Sequence, residues 1–119
     1  MAKRDPRSVV EQIIYRLGFV FSRIGTAYLI EAVLLCCADI TALTAVTKRV
    51  YPAVARLTGS RWKNVERDLR TATETFWRHG NLDFFNEIVG FELRVRPTVG
   101  ELISYIVFYI RANRLMDDL

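Results

Sequence analysis

"GSRWKNVERDLRTATETFWRHGN", Gly59 to Asn81, carries apolar residues at the spacing of a helix and a glycine near each end. Val65, Leu69, Ala72 and Phe76 recur at i, i+4, i+7 and i+11, which puts them in one stripe with Trp62 and Trp77 at its ends. Lys63, Arg67, Arg70 and Glu74 follow the same spacing on the opposite side, joined by Asn64 and Thr71. The spacing predicts a helix from about Arg61 to His79, ended by Gly80. Two readings fit such a helix. Its basic side reads DNA, or it is a surface helix whose charges are simply solvated.

The residues just upstream bear on that choice. Pro52 is tolerated in a first helical turn, so Pro52 to Leu57 reads as a short helix. Thr58-Gly59-Ser60 follows as the turn, with Gly59 where a positive φ is commonly required. Ala55 falls where the first helix passes close to the second, and Val65 points back into the gap between them. Two short helices around a glycine turn, the second basic, are the pattern of a helix-turn-helix, here over about residues 48–80. Major-groove reading needs Arg or Lys for guanine, or Asn for adenine, in the first turns of the second helix. Lys63, Asn64 and Arg67 supply those groups, while Arg61, Arg56, Lys48 and Arg49 are placed to hold phosphates.

The rest of the chain reads as helix almost throughout, with no repeat and no linker. Asp5-Pro6 opens a first helix through Val9, Ile13, Ile14 and Leu17, stopped by Gly18. Gly25-Thr26 opens a second that is apolar on nearly all sides, as a helix in the centre of a bundle is. Ile40 to Val50 is expected to be helical. Asn81 or Asp83 caps a short helix closed by Gly90. "ELRVR", Glu92 to Arg96, alternates like a strand but has no evident partner. Thr98 and Glu101 form a capping-box pattern ahead of a last helix through Leu102, Ile103, Ile106, Val107 and Ile110. The expected fold is all-α, a bundle of about six helices in one domain spanning 1–119.

Composition agrees with a packed domain, since 51% of residues are hydrophobic and 25% charged, too apolar for a disordered chain. The net charge of +4 is unevenly placed: Thr47 to Gly80 holds eight Lys/Arg against three Asp/Glu, leaving nine against ten elsewhere. Such asymmetry favours a polyanionic partner. Cys36 and Cys37 are adjacent, which disfavours a bridge between them, and read as buried thiols of a cytoplasmic protein. One histidine, His79, cannot complete a zinc site with them. It precedes the glycine stop, where a cation meets the helix dipole, and no nucleophile or carboxylate pair accompanies it. Ala27 to Val46 is long enough for a bilayer but carries Glu31 and Asp39. No secretory signal is visible, so a membrane partner is not expected.

Several segments resemble the C-terminal DNA-binding effector domain of the stage zero sporulation protein A family. They are "IIYRLG" at Ile13–Gly18, "TAYLIEAV" at Thr26–Val33, "VTKRVYPAVA" at Val46–Ala55, "VERDLRTATETFWRHGN" at Val65–Asn81 and "RPTVGEL" at Arg96–Leu102. The resemblance covers about Ile13 to Arg111, in the family's order. It implies a six-helix domain that recognises a short operator box, often in tandem copies, and activates or represses promoters. It places Glu66 and Arg67 among the residues facing bases, with Arg70 retained. Two departures stand out: Asn64 replaces an arginine of the family's pattern, and Asp68 a small apolar residue. The loop between Gly90 and Pro97 is also shorter than the family's. The phosphorylated receiver domain that precedes the effector in the family has no counterpart here, and Met1 with "AKRDPRS" reads as a natural start of a stand-alone protein.

The expectation is therefore a sequence-specific DNA-binding regulator, not an enzyme, with no cofactor and no metal. Lys63, Asn64, Glu66 and Arg67 are the candidate base contacts. Arg61, Arg70, Lys48 and Arg49 are the candidate phosphate contacts. Double-stranded DNA is the expected partner, with pairing of protomers through the last helix, "LISYIVFYI", and contact with RNA polymerase as further expectations. The competing reading is an interaction module that has lost its operator and modulates a full-length regulator by pairing.

Overall fold

The computed structural model describes residues 5–116, so Met1 to Arg4, part of the expected natural start, lies outside the described residues. Six α-helices follow in order: α1 (Pro6–Arg16), α2 (Ile24–Ala38), α3 (Tyr51–Thr58), α4 (Trp62–His79), α5 (Leu82–Val89) and α6 (Val99–Ala112). The fold is all-α, with no strand among the described residues. Local chemistry sets most boundaries. The Asp5 carboxylate accepts from the Ser8 amide at 3.3 Å, and Pro6 occupies the first helical position. Asn81, not Asp83, caps α5, accepting from the Phe84 amide at 3.1 Å. Thr98 and Glu101 close the capping box at 3.1 and 2.9 Å.

α2 is the central helix, packed against α1, α3, α4 and α6. Its Leu29, Ala32, Val33 and Cys36 are wholly buried, which accounts for its apolar sequence on nearly every side. Glu31 is the exception and meets Arg7 of α1 at 2.8 Å. No helix among the described residues is long and apolar enough to cross a membrane. Cys36 and Cys37 are free thiols, pushed up to about 12 and about 11 by burial, so both remain protonated and weakly nucleophilic at neutral pH.

Two expectations need correction. Ile40 to Val50 is not one α-helix but a 3-10 turn, Ile40–Thr44, followed by a π turn, Val46–Val50, that runs into α3. The Asp39 carboxylate accepts from the Thr41 amide and hydroxyl, and the Thr44 hydroxyl donates to the Thr41 carbonyl at 2.7 Å. These bonds compete with a regular i to i−4 ladder. "ELRVR" forms no strand either. It lies in the connection between α5 and α6, where nothing pairs its backbone in a ladder; the Leu93 amide donates instead to Asn86 Oδ1 at 3.0 Å.

α2 and α4 approach closely where Gly25 faces α4. A Cβ at Gly25 would stand 2.5 Å from the Asp68 carbonyl oxygen and 2.9 Å from Ala72 Cβ. The backbone oxygen cannot yield as a flexible side chain does. Gly25→Ala is therefore expected to destabilise by at least about 1 kcal/mol through overpacking. Urea denaturation measures this, and a variant as stable as the wild type would show that the two helices separate freely.

Candidate nucleic-acid interface

The turn between α3 and α4 is set by Gly59, whose φ of 69° is the left-handed conformation that favours glycine. The amides of Gly59 and Ser60 both donate to the Ala55 carbonyl, the latter at 2.8 Å. Ala55 and Val65 are buried between the helices, as the helix-turn-helix spacing requires. A further bond anchors the turn to the core: Tyr28 of α2 and Ser60 share a hydrogen bond of 2.7 Å between hydroxyls. Ser60 is the residue type that caps helices, but here its side chain turns inward. Arg61 occupies the cap position of α4 and makes no side-chain capping bond.

The face of α4 that carries Val65, Leu69, Thr73 and Phe76 is buried against the core, with Ala72 half-buried beside it. Thr73 belongs to this face although apolar spacing passes over it; its hydroxyl donates to the Leu69 carbonyl at 2.8 Å. Trp77 is half-buried and Trp62 is exposed, so Trp62 lies off the inner stripe, with Lys63 Nζ 5.8 Å from its ring centroid. Opposite the core, Lys63, Arg67 and Arg70 are exposed in one row. Asn64 and Glu66 flank that row and are half-buried.

The remaining candidates fall into different settings. Arg61 is exposed just before the helix, and Lys48 is exposed on the π turn with no ion-pair partner among the described residues. Arg49, beside it, is already engaged. Its guanidinium meets the Asp39 carboxylate at 2.6 Å and the Thr41 hydroxyl at 2.9 Å; hydrogen bonds from Thr41 first, and from Arg49 second, hold the Asp39 carboxyl below its usual range. Holding a phosphate would require Arg49 to exchange or share that carboxylate. Arg67 carries a similar internal contact, with its Nε 3.2 Å from Asp68 Oδ1. The Arg67 side chain is nevertheless 62% exposed, whereas that of Asp68 is 21% exposed and turned towards the α2 side. Neighbours at i and i+1 do not face each other on a helix, so this pair forms because the long arginine folds sideways.

The last helix is less available than its sequence suggests. Leu102, Ile103, Ile106, Val107 and Ile110 are buried and Tyr105 and Tyr109 half-buried, leaving Phe108 as its exposed large apolar side chain. His79 is exposed at the end of α4, in the groove that α4 forms with the α1–α2 connection.

A six-helix fold with an exposed basic row on the second helix of a helix-turn-helix agrees with comparison to known families. The family model described as sporulation initiation factor Spo0A C terminal matches residues 10–110, nearly the whole chain. The protein thus belongs to the Spo0A C-terminal family, the DNA-binding effector domain of a transcription regulator.

Proposed function

We propose that the protein binds duplex DNA sequence-specifically, with α4 in the major groove. The observation that carries this reading is the division of α4 into a buried inner face and an outer face on which Lys63, Arg67 and Arg70 stand exposed. Lys63, Asn64, Glu66 and Arg67 then meet base edges, Lys and Arg donating to guanine, Asn pairing with adenine, and Glu accepting from cytosine. Arg61, Arg70, Lys48 and Arg49 hold phosphates on either side. A domain of this kind acts on transcription in the cytoplasm. Pairing of protomers would use Phe108 and its half-buried neighbours on α6, and RNA polymerase is a further partner in this reading.

Fluorescence anisotropy tests it, with a duplex selected from a random pool and a scrambled duplex of equal length. Affinity should fall with salt, with a slope of about −3 to −4 in log–log form if four phosphates are neutralised. The selected duplex should bind tighter at every salt concentration. Undetectable binding to both would sink this reading and leave the interaction module that pairs with a full-length regulator.

Asp68 gives a second, smaller test. It places a carboxylate beside the DNA-facing row and draws Arg67 sideways. Asp68→Asn keeps the side chain's shape and removes the charge, so DNA affinity should rise by up to about fivefold, the scale of an exposed ion pair. A fall in affinity would mean that the Arg67–Asp68 contact positions Arg67 for reading.

A further inference from the structure

A groove of about 430 Å³ lies beside the proposed reading face, where the start of α6 meets α4 and the π turn. Arg70 of α4, Arg96, Tyr51 and the first residues of α6, Val99 and Gly100, are among its lining. In the first turn of α6, the Glu101 amide is taken by the Thr98 hydroxyl and the Leu102 amide by the Thr98 carbonyl. The amides of Val99 and Gly100 donate to no described residue. They are the orphan donors of a 14-residue helix, at its positive end.

An independent observation points to a ligand. Tyr51 is 6% exposed and lines the groove, and its hydroxyl has no hydrogen-bond partner among the described residues. No wholly buried side-chain polar atom among the described residues lacks a partner, so this hydroxyl reaches the surface of the groove and stands there open to a ligand. Burial pushes this phenol up, with Glu66 adding to the effect and Arg70 opposing it, so it stays protonated as a donor. The groove thus offers two amides, a phenol and two guanidinium groups. The acids that face it are Glu66, in the lining, and Glu74, which Arg96 meets at 3.5 Å. Two cations against these carboxylates suit a singly charged oxyanion better than a dianion.

We infer that this groove holds one backbone phosphodiester of a bound duplex, against the Val99 and Gly100 amides, the Tyr51 hydroxyl and Arg96. The inference rests on the DNA-binding reading and adds to it a contact outside the helix-turn-helix. It fixes how α4 is tilted in the major groove, because α6 then touches the strand beside it.

Two variants test it. Arg96→Gln removes a charge. Val99→Pro removes one amide at the first helical position, where proline is well tolerated; Thr98, with ψ of 166°, already has the extended conformation needed before proline. Each should weaken binding about threefold to tenfold, equally on selected and scrambled duplexes. Arg96→Gln should also flatten the salt slope by about 0.9, and Val99→Pro should leave it unchanged. Arg94→Gln, an exposed arginine outside the groove, is the control and should have the smaller effect. If both variants bind as the wild type does, or no better distinguished than Arg94→Gln, the inference is overturned. Dimethyl phosphate, a lone phosphodiester, separates this from failure of the DNA reading. Its titration should shift the Val99 and Gly100 amide resonances of the wild type and not of Arg96→Gln. A wild type that binds no duplex but shows those shifts loses the DNA assignment and keeps the anion site. Absence of both removes the two together.

Discussion

Phe76→Ala should lower the unfolding free energy by about 3–5 kcal/mol, the cost of emptying a well-packed aromatic site. Phe76 is 3% exposed and stands in a row of rings. It stacks on Phe19 at 4.9 Å and meets Phe85 edge-on at 5.1 Å; Phe85 in turn meets Tyr105 at 5.9 Å. The α1–α2 connection, α4, α5 and α6 are joined through this row, and truncation at Phe76 removes one of its two inner members. Small domains are stable by only about 5–15 kcal/mol, so about a fifth or more of the total is at stake. A urea titration should show a lower midpoint at unchanged slope. A loss under about 1 kcal/mol would mean that the second half of α4 is not held by this row. DNA affinity measured well below the new midpoint should change far less than stability, because Phe76 faces away from the exposed row.

Arg67→Ala should show the opposite profile. Arg67 is exposed, and its pair with Asp68 contributes little to folding. Stability should stay within about 0.5 kcal/mol of the wild type. Binding to the selected duplex should weaken by roughly 1–3 kcal/mol, the discrimination of one bidentate base contact. Binding to the scrambled duplex should weaken much less. Equal losses on every sequence would show that Arg67 touches backbone only, and the reading role would then pass to Lys63 and Asn64. The double variant with Asp68→Asn is informative: once Arg67 is absent, removing the carboxylate no longer frees an arginine, and any remaining gain measures repulsion of phosphate alone.

How much of this was legible in the sequence depended on how local the determining chemistry is. The ends of α4 and the box at Thr98 and Glu101 follow from residues within a turn of one another, and the sequence pattern located them; for the α5 cap it left Asn81 and Asp83 open, and the Asn81 bond to the Phe84 amide decides it. The turns between Ile40 and Val50 did not, because Asp39, Thr41 and Arg49 must meet through side chains before a regular helix is ruled out. Tyr28 and Ser60 lie 32 positions apart, so nothing local announces their bond. For the candidate interface, periodicity separated the outer from the inner face of α4. It could not show that Arg49 and Arg67 lean on neighbouring carboxylates, since that depends on which way a long side chain folds. Trp62 was misplaced for a related reason: at the first turn of the helix, beyond the packed region, spacing no longer decides burial.

The near contact at Gly25 has an evolutionary consequence. With α2 seated against the Asp68 carbonyl and Ala72, the rotation of α4 about its own axis is fixed from within. Positions 63 and 67, two of the proposed base contacts, stand exposed away from that seat. They form an alphabet that can be rewritten on an unchanging frame. If α4 reads DNA as proposed, drift or a randomised library at those positions retunes which operator is read with little change in the stability of the domain.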